Sequence, residues 1–148
     1  MNAPVDLDLP EGFEPLPVGG QYMVVNGPLY VRRSGSFALG LRVQPRHANP
    51  MGQLHGGMMA SFCDMLLPLS VHAAHEPLRN RFFPTISLQV DYLAPAPVGC
   101  WIEGSGMLLR STRTLMFAQG LVTADGQPCA RASGVFKLGA ELPESFRG

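Results

Sequence analysis

The sequence predicts an α+β domain in which a curved antiparallel sheet wraps one long apolar helix. Three observations lead there. Residues 55–74 are rich in Met, Ala and Leu, poor in strand formers, and apolar almost all the way round a helix. From Pro84 onward the texture changes to a series of strand-like segments separated by turn residues. Gly104, Gly106, Gly120 and Gly134 interrupt those segments, as expected where a sheet bends or another backbone passes close by. A helix with no polar face has to be enclosed, and a sheet curling around it is the economical partner.

The elements follow in order. Residues 1–20 open on acids and prolines and lack both a basic start and an apolar core. They read as a loosely ordered arm and not as a signal peptide. Residues 21–30 carry strand formers (Tyr22, Val24, Val25, Leu29, Tyr30), and residues 36–43 place Phe37, Leu39, Leu41 and Val43 on one face. Together they predict a first hairpin closing near residues 33–35. Residues 45–53 are turn-rich, and the helix then opens at His55. Pro68 is expected to kink it or to weaken its hydrogen bonding near the middle. Strands are expected at residues 85–92, 99–110, 113–124 and 128–138, turning at Ser111-Thr112 and Asp125-Gly126 to form an antiparallel meander. No repeat or linker marks a second domain. The reading is therefore one domain over residues 21–140 with a short tail, residues 141–148.

Composition narrows the function classes. Hydrophobic residues make up 46% against 15% charged, which excludes a disordered chain. No uninterrupted apolar run is expected to reach the roughly 18 residues of a membrane span. Eleven basic and eleven acidic residues leave no broad cationic face for nucleic acid. Ten of the eleven cations are Arg, which favours bidentate contacts with phosphate or carboxylate at particular places. Cys63, Cys100 and Cys129 are odd in number and widely spaced, so neither a disulfide framework nor a zinc pattern appears, and a reducing, cytoplasmic setting is expected. Cys63 adjoins Asp64 and so points to another side of the helix, as a core cysteine would. His47, His55, His72 and His75 lack the spacing of helical zinc ligands, so neither metal nor cofactor is expected.

Asp64 is the only carboxylate between residues 47 and 75. Burying a carboxylate without a partner costs several kcal/mol or forces protonation, so one kept in an apolar helix points to chemistry. Gly56 and Gly57 fall in the first turn, where N–H groups lack intrahelical partners and the helix dipole favours negative charge, as an oxyanion site requires. Asp64 lies eight residues beyond Gly56, hence about 12 Å further along the axis. One helix cannot offer both groups to one small carbonyl. If they act together they come from two copies of the chain, with antiparallel helices across a two-fold axis. Small neighbours at helical spacing (Gly57, Ala60, Ser61, Val71) leave room for substrate or a neighbouring backbone. On local pattern alone, a structural carboxylate at Asp64, a helix cap at His55 and a turn former at Asn49 remain alternatives.

Asn49, Gly52, His55, Gly56, Gly57, Ala60 and Asp64 together read N-x-x-G-x-x-H-G-G-x-x-A-x-x-x-D. This resembles the hotdog-fold acyl-CoA thioesterases of the phenylacetic-acid-pathway type. The resemblance spans residues 36–138 and includes Tyr92-Leu93-Ala94-Pro95 and Gly99. It implies a hotdog fold and hydrolysis of an acyl-CoA to free acid and coenzyme A. Asp64 would be general base or nucleophile, the Gly56 N–H would polarise the thioester carbonyl, and Asn49 and His55 would orient thioester and water. Thr85 would hold the water, Gly57 and Ser61 would border the substrate, and Arg110 and Arg113 would meet the coenzyme A phosphates. The resemblance further implies a homodimer with one continuous sheet, commonly paired again into a homotetramer. Two other readings share the fold: a non-catalytic acyl-CoA binding or regulatory module, and a hydratase or dehydratase, which needs a different His/Asp arrangement. Pro68 and the Phe82-Phe83 pair depart from the motif.

Overall fold

The computed structural model describes residues 8–146; the parts of the expected arm and tail at residues 1–7 and 147–148 lie outside it. Seven strands form one antiparallel sheet in the order β1-β2-β3-β5-β6-β7-β4. β1 (Phe13–Leu16), β2 (Leu29–Arg32) and β3 (Ala38–Arg42) make one end, and β5 (Trp101–Ser111), β6 (Leu115–Ala124) and β7 (Gln127–Lys137) form the expected meander. β4 (Thr85–Tyr92) does not lead the meander; it pairs with β7 and ends the sheet. The turn between β6 and β7 is closed by Asp125 (φ 46°) and Gly126 (φ 86°), the doubly left-handed geometry that a right-twisted hairpin favours.

The single long helix, α2 (Gly56–Ala74), packs on one face of the sheet against β4, β5, β6 and β7. Its buried side chains are Met58 in the first turn and then Met59, Phe62, Cys63, Leu66, Leu67, Ser70 and Val71, which recur at three- and four-residue spacing and form one stripe. The expected all-round enclosure is thus incomplete within one chain: Ala60, Ser61, Asp64, Met65 and Pro68 are only half-buried. Val71, placed with Asp64 by helical spacing, is fully covered. By length and composition, at 19 residues and mean hydropathy 1.2, α2 is long and apolar enough to cross a membrane, contrary to the expectation that no segment would be. Its seat on the sheet makes it a core helix instead. The glycines in the strands let it come close. A Cβ at Gly104 would stand 2.6 Å from the Leu66 side chain, and one at Gly120 3.0 Å from Leu67.

Two expectations for the N-terminal part are corrected. The supposedly loose arm contributes β1, whose Phe13 and Leu16 are buried, with the Phe13 ring edge-on to Trp101 at 5.0 Å. The strand expected over residues 21–30 is a short helix, α1 (Gly20–Asn26), followed by β2. Only Met23 of α1 is buried, while Tyr22, Val24 and Val25 stay exposed. A β-branched pair with no strand beside it gains nothing from extension, and local propensity yields to the anchorage of Met23.

Candidate active site

Helix α2 begins where one residue satisfies two of its orphan donors and accepts its first regular helical bond. Nδ1 of His55, the N-cap, accepts the Gly57 N–H at 2.8 Å, and the His55 carbonyl accepts the N–H groups of Met58 and Met59 at 2.9 and 3.0 Å. The His55 N–H is held by the His47 carbonyl at 2.8 Å, so of the four amides without an intrahelical partner only that of Gly56 is open among the described residues. Because Nδ1 is an acceptor, the neutral His55 ring carries its proton on Nε2, pointing away from the helix. His55 is therefore the helix cap and, at the same time, an exposed side chain.

Asn49 organises the preceding loop. Its Oδ1 accepts the N–H groups of Met51 and Gln53 at 2.9 and 3.2 Å, so only its amide NH2 is left to donate. The turn-forming role is real, and it fixes the direction of that amide. His47 holds the loop from beneath. It is buried, its Nδ1 accepts the Gln44 N–H at 3.0 Å, its Nε2–H donates to the Asn26 carbonyl at 2.6 Å, and its own carbonyl accepts the His55 N–H at 2.8 Å. Burial, chiefly, lowers its pKa below the ordinary histidine value. Considered from sequence only as a metal ligand, His47 serves instead as the strut between α1 and the site.

Asp64 stands half-buried on α2, and Thr85 Oγ1 donates to its Oδ1 at 2.6 Å. A β-bulge aims that hydroxyl. Leu88, Val90 and Tyr92 face α2, so strict alternation would turn Thr85 outward with Ser87, Gln89 and Asp91. The register shift between Thr85 and Ser87 inserts one residue and returns Thr85 to the helix side, opposite Phe136. Pro68 adds a second local effect. It has no N–H, so the Asp64 main-chain carbonyl four residues back lacks the usual helical donor.

Cys63, next to Asp64, is fully buried, and burial pushes its thiol up to about 12, with Cys129 and Asp64 adding to the shift. It belongs to the core. Ser61 Oγ donates to the Gly57 carbonyl at 3.0 Å and shares a 2.7 Å hydrogen bond with the Tyr22 hydroxyl, so α1 borders the same helix face. Tyr22 was not foreseen. In the sequence Tyr92 stands out only as part of a strand ending, yet its hydroxyl donates to the Gly56 carbonyl at 2.6 Å. Arg110 and Arg113 are exposed, and among the described residues their side chains make no hydrogen bond or ion pair. A second bulge, between Leu108 and Arg110, turns Arg110 to the sheet face away from α2, and Arg113 lies in the β5–β6 turn. The structure does not bring either to Asp64 of the same chain. Among the described residues no group of His, Cys, Asp and Glu is arranged to hold a metal ion.

A seven-stranded antiparallel sheet laid against one central helix, with an acid midway along that helix and an open amide at its start, is the hotdog fold. The chain belongs to the thioesterase superfamily, whose family model matches residues 51–130. A Pseudomonas aeruginosa protein named as an esterase is 28% identical over 134 residues, covering 89% of this chain and 98% of that one. Mouse acyl-coenzyme A thioesterase 13 is 27% identical over 78 residues, 53% of this chain and 54% of the mouse protein. Among solved structures, a mutant of the phenylacetic acid degradation protein PaaI from Thermus thermophilus superposes with a TM-score of 0.66, over 78% of this chain and 96% of that one. At 19% identity that likeness is one of fold.

Proposed function

We propose that this protein hydrolyses acyl-CoA thioesters to a free acid and coenzyme A. Membership of the thioesterase superfamily and the partial match to a named acyl-coenzyme A thioesterase support the reaction class. The observation that carries the reading is the Asp64 carboxylate, held by Thr85 at 2.6 Å on the same helix whose first turn leaves one amide open. With Oδ1 occupied by Thr85, Oδ2 is free to take a proton from water, while Thr85 Oγ accepts the water's other hydrogen. The hydroxide adds to the thioester carbon, the Gly56 N–H and the dipole of α2 receive the oxyanion, and the C–S bond breaks to release the thiolate, which takes up the proton. In the nucleophilic variant Asp64 itself attacks, forming a mixed anhydride that water then opens. Asn49 NH2 and His55 Nε2–H orient the thioester, and Gly57 and Ser61 border it.

The separation of about 12 Å between Gly56 and Asp64 along one helix supports a site built from two copies of the chain, a homodimer. β4 suits that role. It ends the sheet with one edge unpaired, and the apolar side chains Ile86, Tyr92 and Leu93 on or just beyond it are 58%, 57% and 52% exposed. A pair of such dimers would give the tetramer. Arg110 and Arg113 would meet coenzyme A phosphates only from a site shared with another subunit.

The test is thiol release from a panel of acyl-CoAs by the wild type and Asp64→Asn. The expected result is a loss of about 100-fold or more in kcat with substrate binding retained. A folded Asp64→Asn variant with full rate sinks the reading. Single turnover in oxygen-18 water separates the two mechanisms, since the general-base route labels only the product acid and the nucleophilic route alone can carry label into the Asp64 carboxylate.

A further inference from the structure

Tyr92, His55 and Gly56 meet at one peptide group. The Tyr92 hydroxyl donates to the Gly56 carbonyl at 2.6 Å, and the N–H of the same peptide group, that of Gly57, donates to His55 Nδ1 at 2.8 Å. The Tyr92 ring lies over the glycine, with its Cζ and hydroxyl 3.4 Å from where a Cβ on Gly56 would stand. Hydrogen bonds in series polarise one another: a donor on the carbonyl side of an amide makes its N–H a stronger donor. The three groups form a line that starts on β4, crosses the first peptide of α2, and ends on the outward edge of the imidazole.

We infer that Tyr92 is a positioning residue which, acting through the Gly56–Gly57 peptide, locks His55 in its Nε2–H tautomer and aims that proton at the substrate. This rests on the thioesterase reading for what the proton does, but the lock itself is a property of the free protein. A δ-protonated ring could not accept the Gly57 N–H and would present a bare Nε2 acceptor to the thioester. Wild-type His55 is exposed to water, which would otherwise mix the two forms. Tyr92 thus does more than tie β4 to α2, since a tie alone would leave the tautomer indifferent to the hydroxyl.

The test uses Tyr92→Phe, which keeps the ring and removes only the hydroxyl. Histidine ring nitrogen NMR at neutral pH reads the tautomer directly, and buried His47 and His72, each with its own backbone partner, serve as internal folding controls. Wild-type His55 is expected to show a single Nε2–H signature and Tyr92→Phe a mixture, with His47 and His72 unmoved. Against an acyl-CoA turned over by the wild type, kcat is expected to fall about tenfold while KM stays within about twofold. An unchanged His55 signature in Tyr92→Phe overturns the inference, and so does a shifted signature with unchanged kcat. A wild type that shows the pure signature, loses it in Tyr92→Phe and releases no thiol from any acyl-CoA supports the lock and refutes the hydrolase reading.

Discussion

At the scale of single residues, the proposed site rests on hydrogen bonds that fix proton positions. Thr85 supplies one such bond to Asp64 at 2.6 Å. A hydrogen bond to a charged group is worth about 1.5–3 kcal/mol, which corresponds to about 10–100-fold in rate if it acts in the transition state. Thr85→Val is therefore expected to lower kcat by that factor, whereas Thr85→Ser should hold it, as thiol release will show. His47 makes a different prediction. Its pKa in the folded protein is lowered, chiefly by burial, as is that of His72. A base harder to protonate when folded lets the unfolded chain bind more protons. Stability is then full above the ordinary histidine pKa of about 6.5 and is lost as pH falls from there through the folded-state values. The urea midpoint should fall between about pH 7.5 and about pH 5, and by less in His47→Gln, where that proton-linked term is gone. The residue roles were only partly legible beforehand. Asp64, Gly56 and His55 stand out as candidates by pattern, whereas His47 and Tyr92 bond to backbone carbonyls that lie 21 and 36 residues away in the chain. No local spacing carries that information.

At the scale of elements, the fit of α2 onto the sheet is set by small residues in the strands. Gly104→Ala would place a methyl 2.6 Å from the Leu66 side chain and 3.1 Å from the Leu121 carbonyl, so α2 or β5 must give way. The expected cost is about 1–3 kcal/mol, read in a chemical-denaturation midpoint. These glycines were legible as places of close approach, and so were the span of β4, the extent of α2 and the Asp125-Gly126 turn, because each rests on local chemistry. β1 and α1 were not. Their conformations follow from what they lie against, β2 for the one and the anchorage of Met23 for the other. The bulge at the start of β4 was hidden too. Alternation read from the strand centre sends Thr85 to the wrong face, and only the pairing with β7 reveals the extra residue.

At the scale of the whole molecule, the proposed function leaves the chemistry of one chain divided. The open amide of Gly56 and the carboxylate of Asp64 sit at different levels of α2, and β4 presents an unpaired apolar edge beside both. That division has a genetic consequence. Two defective copies, one lacking the acid (Asp64→Asn) and one lacking the histidine donor (His55→Asn, which can still cap the helix), would each be inactive as a pure population. Mixed after unfolding and refolding together, about half of the random pairs hold one of each. Every such pair contains one site with both defects and one site with neither, so about a quarter of wild-type activity should return. A site contained in one chain would recover nothing, and each mutation would then behave as a simple recessive loss.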